Sequence, residues 1–237
     1  LLLLPSLLLL LRGRLEHSPL RRGDALLARL AIGRRLREHP EAAQRAVHRD
    51  LRLEKMTEQG VEKAIYFPTL GVGMEEALKD DTHAVHSAFE AFNRWLLDDW
   101  GFAYQERIFA APYISLMDLD RAVKELEWAL ENDARFIVMR PSFVYQKGGS
   151  RSPADPYYDP FWQIVNDSGV TIVYHGGASR YGEYMSDWGE GGTIESCGSS
   201  PLRSSSPSHK APFDLMAALI AHRLFERFTN LRMASIE

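Results

Sequence analysis

Three side chains able to hold an ion or move a proton stand at the ends of apolar runs: Arg140 after RFIVM, His175 after VTIVY and Glu237 after RMASI. An arginine can grip a carboxylate through two parallel N–H donors. A histidine nitrogen can bind a metal or carry a proton near neutral pH, and a carboxylate can shuttle a proton once burial raises its pKa. Gly176 and Gly177 follow His175 and would let backbone or ligand come close. Each residue also has a plainer reading. A lone strand-end histidine can be a hydrogen-bonded structural residue, and Arg140 before Pro141 can be an ion pair that closes one end of the fold. A zinc ion needs three or four protein ligands, so one histidine does not make a site.

The elements that would position these residues alternate. Residues 50–59 read as a helix stopped by Gly60. KAIYF (63–67) reads as a short buried strand before Pro68 and Gly71. Val85, Ala88, Phe89, Phe92, Trp95 and Leu96 follow the 3–4 spacing of an amphipathic helix over 82–100, with Asp81 or Thr82 as its cap and Gly101 as its end. RIFAAP (107–112) is strand-like, and 118–131 is helical with Asp118 as cap. RFIVMR (135–140) is a strand, Pro160 opens a helix closed by Ser168–Gly169, and VTIVYH (170–175) is a strand. A helix over 213–228 and a strand over 231–237 complete the series.

Strands written as continuous apolar runs between amphipathic helices imply a parallel sheet covered on both faces. No G-x-G-x-x-G fingerprint opens a helix, so a dinucleotide fold has no direct support. The expected fold is α/β, of the (β/α)8 TIM-barrel type, incomplete at both ends because five strands fall short of eight. In a barrel the catalytic rim lies at the C-terminal strand ends. The expected rim set is therefore Pro68–Thr69, Tyr113, Arg140, His175 and Glu237.

Five segments taken in order carry a family resemblance: FPTLGVGMEEAL (67–78), NRWLLDDWGFAYQERIFAAPYISLMDLDRAVKELEWAL (93–130), VMRP (138–141), DPFWQIVNDSGVTIVYHGG (159–177) and LFERFTNLRMASIE (224–237). Together they resemble the amidohydrolase-related family of metal-dependent TIM barrels, which includes aminocarboxymuconate-semialdehyde and resorcylate decarboxylases. The resemblance implies that His175 is a metal ligand, that Trp188 contacts substrate, and that Glu237 stands where relatives carry a proton-handling histidine. It implies a divalent metal, zinc by expectation, and a small carboxylated substrate that is aromatic or unsaturated, held at Arg140. The reaction would be hydrolysis or non-oxidative decarboxylation, and a homodimer is expected on the same ground. The family's first-strand H-x-H pair has no match, since residues 1–62 hold only His17, His39 and His48. An aspartate ligand on the last strand would lie beyond Glu237. The alternative is therefore a catalytically inactive fragment or a metal-free interaction module.

Composition narrows the partners. The chain has 237 residues, a net charge of −4 and a pI near 6.1, which give no general reason to expect nucleic acid or an anionic membrane. A single cysteine, Cys197, excludes an internal disulfide and fits a reducing compartment, so a cytoplasmic location is expected. Residues 51–237 read as the barrel domain. Residues 1–50 are a Leu/Arg-rich segment, read as truncated or misread, whose Arg12 and Arg14 follow the apolar run instead of preceding it as in a secretory signal. Other candidates are weaker. His83, His86 and Glu90 share a helix face but read as a solvated one, and His222 reads as structural beside Phe213, Met216, Ala217, Ile220 and Leu224. Cys197 lacks basic neighbours, Ser204–Ser206 form no nucleophile elbow, and 177–211 reads as a substrate lid.

Overall fold

A computed structural model describes residues 48–68, 71–176, 181–190, 201–202 and 210–236. The chain divides into two units, Leu1–Lys63 and Ala64–Glu237. In the first, the described part is helix α1 (Arg49–Glu58), which buries Leu53 and Met56 one turn apart. It ends at Gly60, whose φ of 70° lets Val61 N–H reach back to the Met56 carbonyl.

The second unit alternates strand and helix. Its strands are β1 (Ala64–Tyr66), β2 (Ile108–Ala110), β3 (Phe136–Met139), β4 (Thr171–His175) and β5 (Arg232–Ile236). Between them run α2 (Met74–Ala77), α3 (Thr82–Asp99), α4 (Leu119–Glu131), α5 (Asp159–Ser168), α6 (Tyr181–Asp187), α7 (Lys210–Ala221) and α8 (Leu224–Arg227). Every strand pairing is parallel. β1 pairs with β2, and β3, β4 and β5 form a second ladder. A parallel bridge between Tyr113 and Val138 joins the two. The expected β/α order and parallel sheet are present, with five strands rather than eight among the described residues.

The local chemistry that sets these elements is the expected one at several points. Asp81 accepts from Ala84 N–H and Asp118 accepts from Arg121 N–H, so both caps hold orphan donors of a first helical turn. Gly169 closes α5 at φ 69°. The inward residues of α3 and α4 are Val85, Phe89, Phe92, Leu96, Ala122 and Leu126, all buried in the core that also contains Trp162, Ile137 and Ile172.

Three expectations change. The helix read over 213–228 is broken into α7 and α8 at Arg223, which adopts left-handed φ 58° while Arg227 donates to the His222 carbonyl at 2.6 Å. On α7 the buried residues are Ala211, Leu215 and Leu219, whereas Phe213 and Ile220 are exposed and His222 lies on the surface. KAPFDLMAALIA is apolar almost all round, so its spacing cannot choose a face. His86 is buried, not solvated, and its Nε2 accepts the N–H of Asp118 at the start of α4. Within the stretch read as a lid, residues 181–187 form a helix.

Candidate functional site

Parallel register decides which strand-end residues share a face. Val138 pairs with Val173 and Met139 with Tyr174, so Arg140 stands next to His175 at the ends of β3 and β4. The same parity runs through Ala234 and Ile236 on β5 and through Tyr113 and Ser115 after β2. It reaches Phe67 after β1, because Ile65 pairs with Phe109. In a flat sheet β1 and β4 would lie about 14 Å apart. The Phe67 and His175 rings instead meet edge to face with centroids 5.9 Å apart. The sheet is therefore curled, and Phe67, Tyr113, Ser115, Arg140 and His175 line its concave face.

A short segment folds over these strand ends. After β1 the chain turns back at Pro68, whose carbonyl accepts from Gly71 N–H at 2.8 Å and from Val72 N–H at 3.2 Å. A Cβ at position 71 would lie 3.2 Å from that of Pro68, a tight contact that glycine avoids. The turn delivers α2, whose Glu75 and Glu76 both face Arg140. Glu76 Oε2 is 3.3 Å from Arg140 Nη2 and Glu75 Oε1 is 3.8 Å from Nη1. The Tyr145 hydroxyl accepts from Arg140 Nη2 at 3.0 Å and donates to Glu76. Its ring lies 4.3 Å from the guanidinium, and Lys79 completes the outer side with an ion pair to Glu76 at 3.0 Å. Tyr145 is held there by a two-way backbone bridge between Val144 and Arg151.

This charge arrangement is unusual. Two carboxylates bracket one guanidinium that is 3% exposed, and the second cation, Lys79, pairs with Glu76, so an ionised Glu75 would rest on a guanidinium 3.8 Å away in a desolvated place. Burial accordingly raises the Glu75 carboxyl to about 7, against the pull of Arg140 and a hydrogen bond with Ser115. Burial also pushes the Tyr113 phenol well above its usual value, with Glu75 adding to the shift and Arg140 opposing it. The Tyr113 hydroxyl is fully buried and has no hydrogen-bond partner among the described residues. Its backbone is fixed by Asn93, which accepts from Tyr113 N–H and donates to the Tyr113 carbonyl, each at 2.9 Å. Its ring stacks on Phe89 at 4.2 Å.

His175 is buried, and its Nδ1 donates to the Gly176 carbonyl at 2.7 Å. That bond needs the proton on Nδ1, the nitrogen that stays protonated in a histidine binding a metal through Nε2. Among the described residues, no three His, Cys, Asp or Glu side chains group to hold an ion. The described residues do not complete a metal site. Trp188 follows α6, is 65% exposed, and continues a row with Tyr181 and Tyr184. Glu237 and Thr69 lie outside the described residues. Arg140 and His175 are brought together, whereas Trp188 stands on the surface beside Tyr184. Sequence reading missed Glu75, Glu76 and Tyr145. The signal for the first two was a pair of acids in the otherwise apolar segment that follows a strand-end proline.

A curled parallel sheet with a histidine and an arginine at its C-terminal strand ends, and an acid from α2 beside the arginine, has its polar groups where α/β folds place their sites. Residues 20–236 match the family model described as amidohydrolase, and the chain belongs to that family. Among solved structures it is similar to an amidohydrolase from Mycobacterium avium subsp. paratuberculosis K-10, with 37% identity and a TM-score of 0.76, covering 85% of this chain and 50% of that one. It shares a fold with 2,6-dihydroxybenzoate decarboxylase from Rhizobium, at 18% identity and TM-score 0.56, covering 78% of this chain and 54% of that one. It shares it also with a dihydroxybenzoic acid decarboxylase from Polaromonas sp. JS666 with bound manganese and the inhibitor 2-nitroresorcinol. That match has 17% identity and TM-score 0.58, covering 84% of this chain and 57% of that one. The chain spans about half the length of these structures. No curated protein matches it.

Proposed function

We propose that this chain carries part of the active site of a metal-dependent hydrolase or non-oxidative decarboxylase built on a (β/α)8 barrel. The observation that carries the reading is the placement of Arg140 and His175 side by side on the concave face at the strand ends. Its substrate is a small carboxylate, aromatic or unsaturated, which Arg140 would hold through its guanidinium. Trp188 would stack on the flat part and Glu237 would move a proton. His175 would give its Nε2 lone pair to a divalent ion, with zinc the first candidate and manganese the second, since one neighbour contains it. Such an ion polarises a substrate or lowers the pKa of bound water when present. The other ligands would have to come from outside the described residues.

The chain's own groups define the rest. Arg140 would orient the carboxylate, with the Phe143 ring 5.2 Å from its guanidinium and the Phe67 ring against His175. No described helix is long and apolar enough to cross a membrane. A cytoplasmic homodimer with no nucleic-acid partner is the accompanying proposal.

Elemental mass spectrometry of the purified protein beside His175→Ala tests the metal assignment. About one divalent ion per chain, lost in His175→Ala, is the expected result. Equal metal content in the two proteins would remove His175 as a ligand. Release of carbon dioxide from dihydroxybenzoates, against release of an amine or alcohol from amides and esters, separates decarboxylation from hydrolysis.

A further inference from the structure

The Glu75–Arg140 pair occupies the place where a substrate carboxylate would sit. Arg140 is almost wholly buried beneath two acids of its own chain, and the nearer partner, Glu76, is held by the Tyr145 hydroxyl and Lys79. Glu75 is held by a hydrogen bond with Ser115, while its oxygen is 3.8 Å from the guanidinium, beyond hydrogen-bond range. An incoming anion therefore displaces Glu75 more readily than Glu76. We propose that Glu75 and a substrate carboxylate compete for Arg140, so that each anion taken up on the concave face drives one proton onto Glu75. The inference rests on the reading of Arg140 as the carboxylate holder.

The charge count supports it. With Glu75 and Glu76 ionised, two negative charges already match Arg140 and Lys79, and a bound carboxylate would make three against two. Adding a proton to Glu75 restores the count, and its carboxyl is poised to take one near pH 7. The groups facing Glu75 are Arg140 from the end of β3, Tyr113 and Ser115 from the segment after β2, and Glu76 from its own helix. His175 stands on the far side of Arg140 by register.

A second, independent feature points to an anion. The Tyr113 hydroxyl is fully buried and lacks a hydrogen-bond partner among the described residues, yet it senses the charges of both Glu75 and Arg140. A buried O–H without an acceptor is costly, and a carboxylate on Arg140 would supply one. No bond is made or broken in this step. The proton comes from solvent, the anion replaces Glu75 at the guanidinium, and the protonated Glu75 turns from an ion-pair partner into a neutral neighbour.

Calorimetric titration with benzoate as the probe, in excess EDTA so that a metal cannot bind it, reads the coupling directly. Two buffers of different ionisation enthalpy give the proton count. For the full chain, benzoate affinity should fall about tenfold per pH unit above about 7, with uptake approaching one proton per benzoate. Glu75→Gln should bind benzoate with affinity flat from about pH 6 to about pH 8.5. Tyr113→Phe should bind more weakly at every pH and keep the slope. Flat affinity in the unmodified chain, or an unchanged slope in Glu75→Gln, overturns the proposal while leaving Arg140 as carboxylate holder. Absence of benzoate binding at every pH overturns both. If Glu75→Gln does not fold, the proton count of the unmodified chain decides.

Discussion

Two buried acid–base clusters stand close together in the second unit, and they are built to opposite rules. Around Glu125 every charge is matched. Arg94 donates to both carboxylate oxygens at 2.7 and 3.0 Å, and Asn93 donates to one of them at 2.9 Å while gripping the Tyr113 backbone with its remaining groups. Around Arg140 two acids share one buried guanidinium, Lys79 supports Glu76 from the more exposed side, and Glu75 sits 3.8 Å away with its carboxyl raised to about 7. The first cluster spends its hydrogen bonds on holding α3, α4 and the end of β2 together. The second keeps an acid whose protonation can change within the physiological range. A satisfied network fixes geometry, and a loosely paired one stores a response to charge.

The largest effect should come from removing the cation both acids share. Arg140→Met leaves Glu75 without its counter-ion and Glu76 with Lys79 as its remaining cation, and loss of one partner of a buried pair costs about 3 kcal/mol. Urea unfolding at neutral pH should show that loss. At about pH 5 it should shrink, because Glu75 then already carries its proton. An equal loss at both pH values would mean that Arg140 acts by packing alone.

Glu75→Gln should do the reverse. In the folded protein the Glu75 carboxyl keeps its proton up to about pH 7, against 4.5 for an ordinary glutamate, so protonation favours the fold. That contribution is complete below pH 4.5 and is lost as the pH rises through 7. Glutamine needs no proton, so the variant should be more stable than the parent by on the order of 2 kcal/mol above pH 7 and equal to it below pH 4.5. A destabilised variant at high pH would show that the charged form of Glu75 supports the fold.

The matched cluster should show no such dependence. Asn93→Ala removes three hydrogen bonds and leaves the buried N–H and C=O of Tyr113 without partners, at a cost of about 2 kcal/mol. That loss should be the same at about pH 6 and about pH 8. A loss that grows with pH would join the two clusters into one titrating network and end the contrast.

The contrast also marks where the sequence could be read. Arg140 and His175 were legible as a pair because parallel strands of equal parity present their last residues to one face, a rule that needs only the ends of two apolar runs. Asp81 and Asp118 were legible as caps for a similar reason, since a cap acts on N–H groups two or three residues away. Glu75 and Glu76 were not, because α2 has four residues, too few for a period, and its course depends on the chain folding back at Pro68. Tyr145 reaches Arg140 through a loop closed by the Val144–Arg151 bridge, a contact that spacing does not encode. His86 was misread because its value lies in an N–H of another helix, 32 residues on.

The smallest effect sharpens the comparison most. Arg94 holds Glu125 with two hydrogen bonds, yet its side chain is 43% exposed and its guanidinium lies 3.3 Å from the centre of the Trp128 ring. Water and salt therefore screen the ion pair, and Arg94→Ala should cost only about 1 kcal/mol, part of it from the lost stacking. Arg94→Met keeps an apolar stem over Trp128 and loses only the charge, so it should cost less still. Unfolding of both variants at low and high salt separates the two parts, with the alanine–methionine difference insensitive to salt. If Arg94→Met instead destabilised the protein as much as Arg140→Met, Glu125 would be as dependent on its cation as Glu75 and Glu76 are on theirs. The two clusters would then differ in exposure, not in how their charges are balanced.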